Sequence, residues 1–277
     1  MPITKPAIAW GVRFASATYK IEVDVDGAGS PESLDFPATG SLSTTTDYYC
    51  TGDGTSTDLL TMLAATLNTH SGLSLAIAQL DSSFRVICNG GPGITTINLL
   101  WASGVTTSLS GYLFGWGADT GAAATVTGTQ QPYGLWLPNH PPSIDSRPRQ
   151  PLVGGVARSV SGLTKITRIA TPKKTRRLGW SFQPQDKILI EYATTNGPTS
   201  AFEFGWVASI ARGFTARYYT DQTALSTATY TEVLPETLDD PLIRSDDYPT
   251  RWDLEMRLIE TGSAGITAPT PGPEDAL

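Results

Sequence analysis

Residues 19–25 read Tyr-Lys-Ile-Glu-Val-Asp-Val, so apolar and polar side chains alternate with a period of two. In a β-strand this period places the apolar side chains on one face and the polar ones on the other, which predicts a half-buried strand. Asp26-Gly27 follows and is typical of a tight turn. Residues 252–258 repeat the alternation, with Trp, Leu, Met and Leu separated by Asp, Glu and Arg. The fold is therefore predicted to be mainly β.

One segment departs from this pattern and predicts an amphipathic helix near residues 58–69. Its leucines fall on one stripe of a helix, so that the helix can pack across a sheet. Ser56 or Thr57 is suited to cap its N-terminus and Gly72 to stop it. The stripe consists of Leu59, Leu60, Leu63 and Leu67.

Further short strands are expected on both sides of the middle of the chain. Many recur at a spacing of roughly ten residues, which suits a sandwich or barrel. Their predicted ranges are 73–79, 84–88, 94–101, 163–169, 176–182, 188–192, 202–208 and 214–219.

Six of the 20 prolines lie within residues 132–151, where they prevent a continuous ladder of backbone hydrogen bonds. We therefore predict two β-rich domains joined by a linker or arm. The expected division is an N-terminal domain with one helix at 1–140, a Pro-rich linker or arm at 141–155, a C-terminal sandwich or barrel at 156–260, and an extended tail at 261–277.

The net charge of −7 conceals a segregation of charge along the chain. Residues 1–146 contain four basic and eleven acidic residues, residues 147–187 ten basic and one acidic, and residues 188–277 five basic and fourteen acidic. The basic band either folds back on its own acidic flanks, or meets the acidic surface of a neighbouring copy, or contacts a passing nucleic acid. The candidate subunit interface comprises Lys173, Lys174, Arg176 and Arg177, with Pro269, Pro271 and Pro273 of the tail.

The sequence offers little for catalysis, and no catalytic, cofactor-binding or metal-ligating residue is predicted. Only His70 and His140 are present, and the nucleophile-elbow, phosphate-loop and zinc-protease motifs are absent. Residues 24–27 resemble the start of a calcium loop, but an ordinary turn is favoured there. The two cysteines, Cys50 and Cys88, are expected to be free and buried. No apolar run approaches 18 residues, so we expect a soluble protein made in a cytoplasm, without a signal peptide or a membrane contact.

Several short motifs resemble structural proteins of tailed-bacteriophage tails, of the tail-tube or minor tail type. The resemblance implies a virion component, made in the host cytoplasm, that assembles in rings with other tail proteins and has no catalytic residues. The motifs are Tyr48-Tyr49, Gly52-Asp53, the helix at 58–68, Phe84-Arg85-Val86, the segment 113–116, Leu135-Trp136 with Pro138, Arg217-Tyr218-Tyr219 with Asp221, and the strand at 252–258.

Three functions remain open from the sequence. The leading hypothesis is a non-enzymatic tail component that forms a homo-oligomeric ring or tube. The alternative is a carbohydrate-binding β-sandwich module in which exposed tryptophans, of seven in the chain, stack on sugar rings. The third is a hydrolase that uses paired carboxylates such as Asp239-Asp240 or Asp246-Asp247.

Overall fold

The described part of the chain folds mainly into short strands. The computed structural model of the chain describes residues 4–26, 30–138, 141–145, 154–158, 164–168, 174–184, 202–203, 205, 209, 213–227, 229–235, 242–244 and 251–263. In chain order the elements are β1 (Ala7–Trp10), β2 (Arg13–Phe14), β3 (Tyr19–Val25), β4 (Glu32–Phe36), α1 (Leu59–Leu67), β5 (Ile77–Leu80), β6 (Val86–Asn89), β7 (Ile97–Leu100), β8 (Thr125–Thr127), β9 (Leu135–Trp136), β10 (Ile144–Asp145), β11 (Gly154–Arg158), β12 (Thr164–Arg168), β13 (Thr175–Pro184), β14 (Phe202–Glu203), β15 (Ala216–Tyr219), β16 (Thr231–Pro235), β17 (Leu242–Arg244) and β18 (Arg251–Ser263).

The prediction of a mainly β fold is confirmed. An eight-stranded sheet runs in the order β10-β13-β18-β16-β15-β1-β9, with β17 also paired to β18. Its pairs are antiparallel, and its longest ladder joins β13 to β18. Strands from residues 7–10 and 135–136 thus lie in one sheet with strands from residues 175–263. The division into two domains stays a prediction.

Two three-stranded sheets and α1 enclose a hydrophobic core that is separate from the buried cluster of the large sheet. The sheets have the orders β4-β3-β7 and β5-β6-β8. The buried side chains of this core all come from residues 12–126, and they include the leucine stripe of α1. A separate cluster in the large sheet packs Trp136 against Trp180, with ring centroids 4.5 Å apart and planes at 84°. Such edge-to-face contacts are favourable because the ring edge is positive and the face negative.

The helix predicted near residues 58–69 is confirmed at Leu59–Leu67, but its predicted capping and stop residues were wrong. Asp58, and neither Ser56 nor Thr57, caps the N-terminus by accepting hydrogen bonds from the Leu60 and Thr61 amides. A carboxylate has more acceptor capacity than a hydroxyl, and Asp58 also accepts from the Thr51 and Gly52 amides. The helix stops at Leu67, before the predicted stop at Gly72. None of the described helices is long and apolar enough to cross a membrane.

The strand at 19–25 is confirmed, with one exception to its predicted alternation. Glu22 was expected on the solvent face, yet it is only 9% exposed. Its carboxylate accepts hydrogen bonds from the Val105 and Thr106 amides and from the Thr106 hydroxyl. These hydrogen bonds, chiefly those from Thr106, lower the pKa of Glu22 against the opposing effect of burial. The loop that covers Glu22 comes from distant sequence, so the local pattern did not contain this information.

Other strand predictions hold in part. The strands expected at 73–79 and 84–88 occur in part, as β5 and β6, which form an antiparallel pair. The last strand is longer than expected because Gly262 and Ser263 still pair with β16. Of the strand predicted at 202–208, the structure describes residues 202, 203 and 205, and Phe202–Glu203 form a strand. The Ser209 amide donates to the Gly205 carbonyl four residues back, which is helical spacing. The strand predicted at 188–192 lies outside the described residues.

Candidate functional site

The basic segment predicted as a subunit interface lies at the start of β13. Lys174 directly precedes the strand, and Arg176 and Arg177 lie within it. Lys173 and the tail prolines Pro269, Pro271 and Pro273 lie outside the described residues. The structure therefore places three of the seven predicted residues at the start of one strand, two within it and Lys174 directly before it.

Arg177 is held by the neighbouring strand of the same chain. Its Nε and Nη2 donate to the two oxygens of Glu255 on β18, both at 2.5 Å. Arg257 stands directly opposite Arg177 in the ladder, and its Nε is 4.0 Å from Glu255. Glu255 thus lies between two like charges that would otherwise repel each other. The Arg177 hydrogen bonds lower the pKa of Glu255 and raise the pKa of Arg177.

The other two basic side chains also have partners within the chain. The Lys174 ammonium is 4.0 Å from a Glu260 oxygen. The Arg176 guanidinium lies over the Tyr218 ring, 4.8 Å from its centroid. The first interpretation of the basic band, that it folds back on its acidic flank, therefore describes Lys174 and Arg177. Their role between subunits stays a prediction.

Two exposed apolar side chains lie at the edge strand β5 and just before it. Leu75 is 74% and Ile77 36% exposed. On one side β5 pairs with β6, and within the described residues no strand pairs with its other side. The side-chain amide of Asn68, directly after α1, donates to the Ala76 carbonyl and accepts from the Ala76 amide. These two hydrogen bonds satisfy the backbone of the residue that precedes β5.

A cleft of about 570 Å³ lies between residues 101–110 and the 3₁₀ helix Gly111–Phe114. Aromatic, hydroxyl-bearing and aliphatic residues line it, together with two glycines. The lining includes Ser16, Tyr19, Trp101, Ser110, Tyr112 and Trp116.

The aromatic wall is tightly packed. Trp101 stacks on Trp116, with ring centroids 5.8 Å apart and planes at 19°. A Cβ at Gly111 would lie 2.5 Å from the Trp101 ring, so only glycine permits this approach. Gly115 ends the 3₁₀ helix with a φ of 87°, in the left-handed region that favours glycine. The glycine-rich sequence at 111–117 therefore shapes the cleft.

Carboxylates hold both ends of the loop at residues 102–106, which lies next to the cleft. Asp119 accepts hydrogen bonds from the Ala102 and Ser103 amides. Glu22 holds the Val105 and Thr106 amides in the same way. Burial opposes ionisation of Asp119, yet the hydrogen bonds from Ser103 and from the backbone leave its pKa lowered. The cleft is thus formed before any ligand arrives.

The structure also joins the first half of the chain to the large sheet through a buried ion pair. Arg217 of β15 donates from Nη1 to Asp53 at 2.5 Å and from Nη2 to Thr57 at 2.9 Å. Its guanidinium lies between two rings, 3.9 Å from the Tyr49 centroid and 4.3 Å from the Tyr230 centroid. The two charged side chains are 4% and 0% exposed.

The residues considered for chemistry have structural surroundings. Cys50 and Cys88 are free and buried, as predicted, and burial raises the pKa of both thiols. His70 lies 3.6 Å from Glu32 and accepts from the Gly72 amide. Asp26, just after β3, accepts from the amides of Thr95 and Thr96, which lie about seventy residues further along the chain. Among the described residues no cluster of His, Cys, Asp or Glu could hold a metal ion.

The described tryptophan side chains pack inside the protein and form no exposed platform. Trp101 is partly buried, and the others are fully buried. The fully buried ones are Trp10, Trp116, Trp136 and Trp180. The side chains of Trp206 and Trp252 lie outside what the structure describes.

Sequence reasoning missed the edge at β5, the cleft and the buried Arg217. The run 75–80 contains neither charge nor proline, a signal that could have marked an unprotected edge. The other two sites depend on long-range contacts. Comparison with known proteins adds nothing to these assignments, since no family model, curated protein or solved structure matches the chain.

Proposed function

We propose that this protein is a non-enzymatic structural component of a bacteriophage tail, which assembles into a ring or tube through contacts between copies and with other tail proteins. The proposal rests on the sequence resemblance and on one observation in the structure, the unprotected edge strand β5. Virion location and synthesis in the host cytoplasm are part of the same proposal.

Edge strands usually avoid pairing with other molecules. They are short, or they contain lysine, proline or a bulge. The edge strands of the large sheet, β9 and β10, are two residues each. In contrast, residues 75–80 read Leu-Ala-Ile-Ala-Gln-Leu, without charge or proline, and Leu75 and Ile77 face solvent. A neighbouring subunit that covers this edge would satisfy its backbone groups and bury both side chains.

Burial of the exposed parts of these two side chains would favour such contacts. Full burial of a leucine or isoleucine contributes about 1.5–3 kcal/mol, and Ile77, already mostly covered, would gain less than Leu75. In a ring each copy makes the contact twice, once with each surface, so modest contacts accumulate. A head-to-tail contact joins two different surfaces and can close into a ring, so β5 need not pair with β5 of the neighbouring copy.

The experiment compares the purified full chain with a double variant, Leu75→Lys and Ile77→Lys, by sedimentation velocity. A lysine at an edge costs little in the monomer but opposes strand addition. Val105→Lys is the matched control, because Val105 is 94% exposed and lies outside β5. We expect oligomers for the wild type and the control and smaller species for the double variant. A wild type that stays monomeric at all concentrations, or a double variant that assembles normally, contradicts the proposal.

A further inference from the structure

We propose that the cleft beside Tyr112 binds an uncharged, hydroxyl-bearing ring, that is, a saccharide unit. This inference does not rest on the proposed function, since a binding cleft could serve a tail component or an isolated module equally. It also differs from the sequence-based alternative, in which exposed tryptophans formed the platform.

The charge of the lining decides against ionic ligands. None of the residues that line the cleft is Asp, Glu, Lys, Arg or His. Phosphates and carboxylates are bound by arginine or lysine, or at the N-termini of helices. The 3₁₀ helix here has only four residues, too short to act as such a site. A neutral ligand is therefore the class that this lining can accept.

The size of the cleft and its aromatic surface favour a ring. A volume of about 570 Å³ lies within the usual range of small-molecule sites. Tyr112 is 36% exposed and its ring is steadied edge-on by Tyr133, with centroids 6.3 Å apart. A pyranose has one face of C–H groups that packs on an aromatic ring, with hydroxyls around its rim.

Hydroxyl groups stand beside this aromatic surface. The Ser110 side chain makes no capping hydrogen bond to the 3₁₀ helix and is half-buried in the lining. The Ser108 hydroxyl accepts from the Lys20 amide, which leaves its own proton for another acceptor. Both hydroxyls can exchange hydrogen bonds with the hydroxyls of a sugar. Because the loop is already fixed by Asp119 and Glu22, binding requires little reordering of the protein.

The test is saturation-transfer NMR on the full chain with glucose, galactose, N-acetylglucosamine and maltose as probes. We expect at least one of them to receive magnetisation through the C–H face. Tyr112→Ala should weaken that binding at least about tenfold, in line with the loss of an aromatic contact. Tyr112→Phe retains the ring and should bind within a few-fold of the wild type. Val105→Ala is the control for loss of an exposed apolar side chain that does not line the cleft.

Circular dichroism of each variant establishes that the fold is intact before binding is compared. A second substitution, Ala102→Trp, fills the cleft from an exposed position and should also abolish binding. The inference is overturned if none of the four sugars binds. It is equally overturned if Tyr112→Ala and Ala102→Trp both bind as the wild type does. Neither result depends on whether the protein assembles.

Discussion

The Arg217–Asp53 pair provides a quantitative prediction about how the two parts of the chain are joined. The perturbation is a double-mutant cycle of Arg217→Met and Asp53→Asn. Methionine keeps most of the arginine stem, and asparagine keeps the shape of the aspartate. Each single variant leaves one partner without its counter-charge in a site where the side chains are 4% and 0% exposed.

The expected magnitude follows from the contacts of the guanidinium. Loss of one partner of a buried ion pair costs about 3–5 kcal/mol, because the remaining charge is desolvated and uncompensated. Arg217→Met also removes the bond to Thr57 and the contacts with the rings of Tyr49 and Tyr230. Asp53→Asn keeps an acceptor for Thr55, which bonds the other carboxylate oxygen. Arg217→Met should therefore be the more destabilising of the two variants.

Urea unfolding monitored by tryptophan fluorescence gives the free energy of unfolding of each variant. The double variant should be more stable than the sum of the single effects predicts, by a coupling energy of about 1–3 kcal/mol. The matched control is the same cycle at Arg177 and Glu255, an exposed pair with the same chemistry, where coupling should be much smaller. Equal coupling at both sites would refute the argument from burial.

Three further predictions concern separate parts of the molecule. Glu22→Gln should destabilise the protein at neutral pH. Because the folded pKa lies below the ordinary value of 4.5, the difference from the wild type should vanish as the pH falls through that lowered pKa, measured by urea unfolding at several pH values. Cys50 and Cys88 should react with a thiol reagent only in denaturant, since both are buried; rapid labelling of the native protein would contradict their placement. Deletion of residues 264–277, which follow β18, should weaken assembly without changing the melting temperature of the monomer; a large drop in that temperature would count against a role between subunits.

Much of the fold could be predicted because strand alternation is a local signal. The period of the apolar residues is enough to predict which residues share a face in β3 and β18 and which form the stripe of α1. Glu22 shows the limit of this approach. Its burial depends on residues 105–106, more than eighty positions away, and a polar residue in an alternating strand normally faces water.

The candidate site was less accessible to such reasoning. The charge segregation was visible in the sequence, but only the β13–β18 register reveals that Arg177 meets Glu255 of its own chain. The role of the glycines at 111–117 is not visible in the sequence, because the Trp101 ring that Gly111 accommodates comes from another segment. Likewise, the burial of Arg217 depends on a loop at 53–57 that local pattern does not connect to β15.

Assembly is the central claim, and sedimentation of the chain in a native, unfractionated lysate of its source tests it most directly. If the protein is a tail component, it travels with a particle of megadalton mass, and microscopy of that fraction reveals its position. If it sediments near the 29.5 kDa of a single chain while other particles in the lysate survive, the structural role is contradicted.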